Sequence, residues 1–299
     1  MNRAFIALLA LIVPFAGSRA QIPTRGMQKA ILVTGASTGI GRKLTERLAA
    51  DGYFVYAGAR KESDLQALAT IKNVQPLRLD VTRQDEINAA LQAVTNGGRG
   101  LYGLVNNAGI GSAVPLLETS QEEFDATMAV NVGGPFRMTR AFAPLLIAQK
   151  GRIVNIGSIR GILVDPDVGV YQMSKHAIET FTDVLAQELA ASGVQVSVVE
   201  PGAYNTEIGK NAVKRAGMDP KDADRSMYKS PDEVAAAVER ALFEPKARRR
   251  YMVVPNREQA EDTLRAQMQQ LVELNAGQPY AYSRKALIDM LDEALGQTR

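Results

Sequence analysis

The chain has 299 residues, of which 46% are hydrophobic, enough for the core of one large domain or two small ones. Its formal net charge of +3, from 35 basic and 32 acidic residues, is too balanced to indicate a nucleic-acid partner without a concentrated basic patch. Zero cysteines exclude disulfides and thiolate chemistry, and the single histidine, His176, argues against a histidine metal site or a serine–histidine triad.

The first 26 residues differ in composition from the rest. Arg3 precedes an apolar run over 4–17 that is short for a membrane span, and the tripeptide SRA at 18–20 matches a small-residue cleavage pattern. These features predict a signal peptide. A competing interpretation starts the protein at Met27, two residues before a strand-like run. Under either interpretation, this segment lies outside the fold.

From residue 29 onward, short β-rich runs alternate with amphipathic helical segments such as 40–50 and 172–191. This alternation is typical of a parallel sheet with helices on both faces. We predict a single Rossmann-type, doubly wound α/β domain over 27–255. Its seven predicted strands are 29–34, 53–58, 74–79, 101–106, 151–157, 194–200 and 250–254.

A glycine-rich turn follows the first predicted strand. Residues 34–41 read TGASTGIG and lead into a helix. Glycine permits the tight turn, while the free N–H groups and dipole of the new helix favour a pyrophosphate. The βαβ context favours a dinucleotide site over a turn without a ligand. The residues expected at the cofactor are Gly35, Ser37, Thr38, Gly39, Ile40 and Gly41.

The second predicted strand closes on Gly58, Ala59 and Arg60. An acidic residue at this place would bind the ribose 2′-hydroxyl of NAD, whereas here Ala59 stands there and Arg60 follows it. A guanidinium suits a 2′-phosphate, so we expect NADP(H) as the preferred cofactor and NAD(H) as a possible one. The alternative is that Arg60 is an ordinary solvated arginine.

Ser158 follows the fifth predicted strand, and Tyr171 and Lys175 lie on the helix after it. Residues four apart share one helical face, so the lysine ammonium can lie beside the phenol. A neighbouring cation stabilises phenolate, which predicts that the pKa of Tyr171 moves from about 10 toward working pH. Such a tyrosine could act as a general acid–base.

Beyond residue 255 we predict a helical extension over 256–299. Its two amphipathic helices are expected to pack on the parent domain or on a second subunit. Just before it, Lys246 and the arginines at 248–250 form a short basic cluster, interpreted as a solvated turn rather than a phosphate-binding patch. The apolar positions of the two helices are Ala260, Leu264, Met268 and Leu271, then Leu287, Met290, Leu291, Ala294 and Leu295.

Together these motifs resemble the short-chain dehydrogenase/reductase family over residues 28–255. Ser158 precedes Tyr171 by thirteen residues and Asn131 precedes Ser158 by twenty-seven, as that family's pattern asks. The one departure is Gly157, where many members have a second serine. The matching elements are the TGASTGIG turn, Asp80-Val81, Asn106-Asn107-Ala108-Gly109, Asn131, Ser158, Tyr171 with Lys175, and Pro201-Gly202 with Thr206.

The resemblance implies an NADP(H)-dependent oxidoreductase that interconverts an alcohol and a ketone or aldehyde. Tyr171 would exchange the proton with the substrate oxygen, which Ser158 would hydrogen-bond. Lys175 would hold the nicotinamide ribose and lower the pKa of Tyr171, and Asn131 would support the lysine through a water. The resemblance also implies further cofactor contacts. Asp80 and Val81 would contact the adenine, and residues Asn107, Ala108 and Gly109 would line the adenosine ribose. Pro201, Gly202 and Thr206 would cover the nicotinamide. His176 is interpreted as structural.

Segments 159–170 and 203–230 should wall the substrate site, because ligands lie beyond the carboxyl ends of the strands. They are mostly apolar with few charges near the catalytic residues, which favours a lipophilic substrate such as a steroid or a retinoid. Alternatively, these residues only fold the lid. Residues 58–61 and the long tail are also loosely similar to the steroid and retinol dehydrogenase branch. The apolar residues are Ile159, Ile162, Leu163, Val164, Val168, Tyr204, Ile208, Met218, Met227 and Tyr228.

Two other functions stay open. A protein that senses NADP(H) without turnover would share the cofactor site, although such proteins usually lack the tyrosine or the lysine. An epimerase or dehydratase would use the same groups and retain its cofactor, although sugar-nucleotide members usually have a larger carboxyl-terminal domain. The resemblance also implies a homodimer or homotetramer. We place the catalytic domain in the cytoplasm, where NADP(H) is expected, with export or membrane association as the alternative that the signal-like segment leaves open.

Overall fold

A computed structural model of the protein describes residues 28–297, so the predicted signal peptide and the alternative start at Met27 lie outside the described residues. Seven strands form one parallel sheet in the order β3-β2-β1-β4-β5-β6-β7. The predicted Rossmann-type architecture is confirmed. The first and last residues of each predicted strand lie within two residues of those observed. The strands are β1 (Ala30–Val33), β2 (Phe54–Ala59), β3 (Val74–Arg78), β4 (Gly103–Asn106), β5 (Arg152–Ile156), β6 (Gln195–Pro201) and β7 (Arg250–Val253).

Helices cover both faces of the sheet. Leu48 and Val238 pack in one buried apolar cluster, and Ile87, Phe142 and Leu185 pack in the other. Strands buried on both faces require continuous apolar runs, which explains why β1 reads AILV and is buried throughout. The helices are α1 (Gly39–Ala50), α2 (Glu62–Ala69), α3 (Gln84–Asn96), α4 (Gln121–Asn131), α5 (Gly133–Ala148), α6 (Gly169–Glu188), α7 (Ile208–Arg215), α8 (Asp232–Phe243), α9 (Arg257–Asn275) and α10 (Arg284–Gln297).

The strand order reverses between β1 and β4, and this position fixes where a ligand can enter. The chain leaves these two neighbouring strands in opposite directions across the sheet, which opens a crevice beyond their carboxyl ends. The glycine-rich turn follows β1, Asn107 follows β4, and Ser158 follows β5. The topology therefore gathers the predicted cofactor and catalytic residues at one edge of the sheet.

The carboxyl-terminal helices pack less closely than the parent domain. Thr263 of α9 is buried, but Leu264 and Met268 of α9 and Leu291 and Leu295 of α10 are each at least half exposed. Packing of these side chains on the parent domain, one of the two predicted alternatives, is therefore wrong. The other, a second subunit, stays a prediction. Within residues 28–297, no helix combines the length and apolarity that a membrane crossing requires.

Candidate active site

A hydrogen-bond network joins the glycine-rich turn to the end of β4. Thr34 Oγ1 accepts from the backbone N–H groups of Asn107 and Ala108, each at 2.9 Å. In return, Asn107 Nδ2 donates to the carbonyl oxygens of Thr34 at 2.8 Å and Gly35 at 3.0 Å. The side-chain amide of Asn107 thus holds the turn in shape, and its assignment to the adenosine ribose stays a prediction.

The turn fits a pyrophosphate. Gly35 and Gly39 have left-handed backbone conformations with φ of +63° and +54°, which side chains other than glycine rarely adopt. A methyl group on Gly35 would lie 2.9 Å from the Ala108 Cα, and one on Gly41 would collide with the Gly35 carbonyl oxygen. No side chain caps the start of α1 at Thr38, so the N–H groups and dipole there can face a phosphate. Ser37 and Ile40 lie in the same turn, and their contacts with the cofactor stay predictions.

The segment after β6 lies over the same turn. A methyl group on Gly39 would touch Thr206 Cγ2 at 3.3 Å. Between them opens a cleft of about 240 Å³. At the other end of the segment, Gln259 Oε1 of α9 accepts from the Ala203 N–H at 2.9 Å, and a methyl group on Gly202 would collide with that oxygen. Sequence analysis missed Gln259, because a lone glutamine in an amphipathic tail carries no motif.

Arg60 lies beyond the end of β2 with 64% of its side chain exposed, and its Nη1 is 3.7 Å from Asp80 Oδ2. Burial opposes ionisation of Asp80, but hydrogen bonds from Thr82 and the Arg60 charge hold the pKa of that carboxyl below its usual value. The two residues assigned to the adenosine end are therefore neighbours of opposite charge. Val81, the third, is buried, and a methyl group on Gly134 would lie 2.7 Å from its Cγ2.

Ser158, Tyr171 and Lys175 come together at the carboxyl end of β5. Ser158 Oγ accepts from the Arg160 N–H at 3.1 Å and donates to the Pro201 carbonyl oxygen at 3.4 Å. Tyr171, in the first turn of α6, shares a hydrogen bond with Ser158. One turn later, Lys175 Nζ lies 5.5 Å from the centroid of the Tyr171 ring. The fold thus brings a hydroxyl, a phenol and an ammonium to one place.

Asn131 lies at the end of α4 and connects the loop after β4 to α6. Its Oδ1 accepts from the Ile110 N–H and its Nδ2 donates to the Ile110 carbonyl, both at 2.8 Å. The same Nδ2 donates to Ser174 Oγ at 2.9 Å. A methyl group on Gly109 would lie 3.4 Å from Asn131 Oδ1 and 3.9 Å from Lys175 Nζ, so both side chains flank this glycine. The water link between asparagine and lysine stays a prediction.

The acidity of Tyr171 differs from the prediction. Burial raises the pKa of Tyr171 above its ordinary value of 10. The hydrogen bond with Ser158 and the positive charges of Arg225 and Arg160 oppose this rise without reversing it. The expected lowering of the pKa is therefore not seen in the protein by itself, because desolvation of the hydroxyl outweighs these partners. The further effect expected from the positive nicotinamide ring of an oxidised cofactor stays a prediction.

Lys175 is 6% exposed, and burial lowers its pKa from 10.5 to about 8, against the opposing charge of Glu179. Its Nζ donates to the Ile156 carbonyl oxygen at 2.7 Å rather than to the tyrosine hydroxyl. A buried ammonium needs such partners, because taking a charge out of water is costly. Lys175 is thus held by the end of β5, one helical turn from Tyr171.

The predicted substrate walls are unevenly exposed. Val164 and Met227 are 79% and 95% exposed. Ile159 and Tyr204, by contrast, are buried, and the Tyr204 hydroxyl donates to Glu233 Oε2 of α8 at 2.7 Å. The assignment of Tyr204 to the substrate wall is wrong, because its side chain packs in the core against α8. The assignment of Ile159 stays a prediction. The wall residues that are half-buried are Ile162, Leu163, Val168 and Ile208.

The walls also carry charge close to Tyr171, contrary to the expectation of few charges there. Arg160 Nη2 forms an ion pair with Asp165 Oδ2 at 2.9 Å. Arg225 forms no ion pair with any side chain that the structure describes; it lies beside Gly209, with Cζ 5.9 Å from the Tyr228 ring centroid. Sequence analysis missed both arginines, since only the loop conformation decides which side chains face the phenol.

Comparison with known proteins gives the same assignment for most of the chain. A family profile described as short chain dehydrogenase matches residues 29–217, which is more than half of the chain. Mitochondrial D-beta-hydroxybutyrate dehydrogenase of Rattus norvegicus is 37% identical over 186 residues, 59% of this chain and 54% of that protein. Human 17-beta-hydroxysteroid dehydrogenase type 6 is 38% identical over 191 residues, 62% of this chain and 60% of that protein. The chain thus matches little more than half the length of these curated relatives.

Solved structures resemble the fold over a larger share. A short chain dehydrogenase/reductase from Burkholderia phymatum, in complex with NAD, superposes with a TM-score of 0.73 at 25% identity, covering 86% of this chain and 99% of that one. A variant of actinorhodin polyketide ketoreductase with NADPH gives a TM-score of 0.68 at 28% identity, covering 76% and 96%. Similar structures therefore hold either nicotinamide cofactor.

Proposed function

The chain belongs to the short chain dehydrogenase family, and from this premise we propose that it is an oxidoreductase that interconverts an alcohol and a ketone or aldehyde with a nicotinamide cofactor. The observation that carries the proposal is the convergence of Ser158, Tyr171 and Lys175 beside the glycine-rich cradle. A protein that only senses the cofactor has no need for such a set. The cytoplasmic NADP(H) pool would then supply the reaction.

The bound cofactor would supply or accept the hydride, and the chain's own residues would do the rest. Tyr171 would give a proton to the substrate oxygen, or take it, while Ser158 would donate a hydrogen bond to the charge developing there. Lys175 Nζ would hold the nicotinamide ribose and keep a positive charge beside the phenol. Asn131 would fix the loop that flanks the lysine.

Activity with a panel of carbonyls and alcohols tests this proposal. The panel should contain steroids, retinoids, aldehydes, small ketones and keto acids. Each compound is assayed with both cofactors by following the absorbance of the reduced nicotinamide. We expect turnover with at least one class. Cofactor binding without turnover on the whole panel would favour the sensor, and product isomerisation with no net change in cofactor would favour the epimerase.

We further propose that NADP(H) is the preferred cofactor. Arg60, which follows Ala59, has a largely exposed guanidinium. Ala59 stands at the place where an acidic residue would repel a 2′-phosphate. Asp80 lies 3.7 Å from Arg60 and already orients it, while the hydrogen bonds from Thr82 occupy that carboxylate. The phosphate would therefore meet an arginine that is held in place rather than a free side chain.

Arg60→Ala should weaken NADPH binding by about 10- to 100-fold and hardly change NADH binding. Hydrogen bonds to charged groups contribute about 1.5–3 kcal/mol, and each 1.4 kcal/mol is about tenfold. Titration of cofactor fluorescence measures both dissociation constants. Arg265→Ala, at a comparably exposed arginine of α9, is the control and should change neither. Equal weakening of both cofactors, or a wild-type preference for NADH, would contradict the assignment.

The substrate has two candidate classes. The apolar walls support a lipophilic alcohol or ketone, and the similarity to a hydroxysteroid dehydrogenase agrees with it. Arg225 supports a second class, a hydroxy or keto acid, because its charge acts on Tyr171 and no described side chain neutralises it. The similarity to D-beta-hydroxybutyrate dehydrogenase points the same way. Arg160 is less suited to this role, since Asp165 already pairs with it.

Arg225→Gln separates these two classes. If Arg225 binds a carboxylate, the variant should raise KM for a keto acid by at least about tenfold, the loss of one charge-assisted hydrogen bond. A neutral ketone measured on the same protein is the control and should keep its KM. Steady-state kinetics with both substrates give the result. Equal changes in KM for the keto acid and the neutral ketone would mean that Arg225 has only a structural role in this segment.

A further inference from the structure

An unusual cluster of acids lies on the face of α6 that carries the tyrosine and the lysine. Tyr171, Lys175, Glu179 and Asp183 follow one another at intervals of four, so their side chains are neighbours along the helix. Arg250, at the start of β7, faces the far end of this row. Its Nε lies 3.2 Å from Glu179 Oε2, and its Nη2 lies 2.6 Å from Asp183 Oδ2. Arg250, expected in a solvated turn, is therefore bound to carboxylates.

A third carboxylate joins from the sheet. Glu200 of β6 is 3% exposed, with Oε1 3.9 Å from Arg250 Nε and its carboxyl group within hydrogen-bond reach of Glu179. Among the described residues, Glu179 Oε1 and Glu200 Oε1 both lack a hydrogen-bond partner. Ionised carboxylates only accept hydrogen bonds, so two of them buried side by side repel each other, and a proton between them relieves that repulsion.

The balance of charges in the cluster also favours a proton between Glu179 and Glu200. Three carboxylates, Glu179, Asp183 and Glu200, face two cations, Arg250 and Lys175. One proton on the carboxylates balances the charge of this group, whereas full ionisation leaves a net negative charge beside the buried Glu200 and Lys175. Burial, together with repulsion from its partner, raises the pKa of Glu200 to about 8 and moves the pKa of Glu179 upward. The described part of the chain offers no arrangement of such side chains that could hold a metal instead.

Gly157 makes room for this pair. A methyl group there would lie 2.9 Å from Glu179 Oε1 and 2.8 Å from Val198 Cγ2. The serine that many relatives have at this place would therefore collide with the glutamate or displace it. Gly157, the one departure of the chain from the family pattern, therefore leaves room for Glu179 immediately beside Ser158.

The pair lies one helical turn from Lys175. Lys175 Nζ donates to the Ile156 carbonyl oxygen, and Ile156 pairs with Val199, the residue before Glu200. Glu179 follows the lysine by four residues, and its charge opposes the loss of the ammonium proton. A negative charge that stays on Glu179 rather than on Glu200 would therefore hold Lys175 in its protonated form.

We propose that Glu179 and Glu200 share one proton, and that the negative charge left on Glu179 keeps Lys175 protonated, which makes Glu179 a positioning residue for the reaction. The second half rests on the proposed function of Lys175, whereas the first half concerns the folded protein alone. Stability and activity can therefore test the two halves separately.

Glu200→Gln tests the shared proton. A glutamine donates the hydrogen bond that a protonated Glu200 would donate, and it does so at every pH. A carboxyl whose folded pKa is raised gives its full stability below its ordinary value of 4.5 and loses it as the pH rises through about 8. We therefore expect the melting temperature of the variant, relative to wild type, to rise between about pH 4.5 and about pH 8 and to level off above that.

Glu261→Gln is the control for that measurement, because it removes an exposed carboxylate that pairs with Arg265 of α9, outside the cluster. Its difference from wild type should stay constant over this pH range. If Glu200→Gln loses stability increasingly as pH rises, Glu200 is an ionised partner of Arg250 and the shared proton does not exist. A difference that is constant with pH overturns the proposal equally.

Glu179→Gln tests the second half through the pH profile of kcat/KM. Without the charge on Glu179, Lys175 should lose its proton at lower pH, so the alkaline limb should move down by about one unit, as a single nearby charge typically gives. Glu261→Gln, outside the cluster, should keep the wild-type limb, and Glu179→Asp, which restores the charge, should recover it. An unmoved limb in a folded Glu179→Gln protein would overturn the positioning role. If wild type turns over no substrate, the proposed function fails, and the melting experiment still decides the shared proton.

Discussion

Tyr171→Phe is expected to lower turnover by about 10²- to 10⁴-fold while changing cofactor affinity little, because loss of a general acid–base has this size. The ring stays in the first turn of α6, so packing is kept and only the hydroxyl that hydrogen-bonds to Ser158 is lost. Steady-state kinetics give kcat, and titration of cofactor fluorescence gives the dissociation constant. The two together distinguish lost chemistry from lost binding.

Tyr204→Phe is the matched control for this experiment. It removes another tyrosine hydroxyl that has a hydrogen-bond partner, Glu233, but that lies in the core beside α8. We expect this variant to lose some stability and to keep its turnover. Retention of more than about a tenth of wild-type turnover by Tyr171→Phe would mean that another group moves the proton.

The sheet and the cofactor cradle could be predicted because local sequence determines them. Parallel strands buried on both faces need continuous apolar runs, and β1 and β5 supply them with AILV and RIVNI. The turn over 34–41 needs glycines for its left-handed conformations and close contacts, and these stand in the sequence as a motif. The placement of Tyr171 and Lys175 on one helical face followed from their spacing alone.

The remaining features depend on contacts between distant segments, which no local pattern reports. Tyr204 was expected in a substrate wall, but its burial depends on Glu233 reaching it from α8. Glu179 and Glu200 look like ordinary surface acids in sequence, and they meet only because α6 packs on β6. Desolvation is likewise a property of the packed molecule, so the direction of the Tyr171 pKa shift could not follow from its neighbours in sequence.

Lys175→Met should abolish most activity and at the same time make the protein more stable at neutral pH. Burial lowers the pKa of Lys175 from 10.5 to about 8, so near pH 7 the folded protein holds an ammonium that it would shed more readily than the unfolded chain. A depressed folded pKa gives stability that is present above the ordinary value of 10.5 and lost as pH falls through about 8. At pH 7 the lysine therefore reduces the free energy of unfolding.

The size of this gain follows from two opposing contributions. The pKa shift corresponds to roughly 3 kcal/mol, since each unit is about 1.4 kcal/mol, and methionine fills much of the same buried space. The variant also leaves the Ile156 carbonyl oxygen without its donor, which costs about 1–2 kcal/mol. We expect a net gain of about 1–2 kcal/mol in the free energy of unfolding at pH 7.

Urea unfolding at about pH 7 and about pH 10 measures this effect, because the advantage of methionine should shrink as wild type sheds its proton at the higher pH. Lys285→Met, at a lysine with 84% of its side chain exposed, is the control and should change stability little at either pH. A less stable Lys175→Met protein at pH 7 would mean that the partners of the ammonium outweigh its desolvation. A gain in stability with a loss of turnover would instead show that the buried charge is kept for the reaction at the expense of the fold.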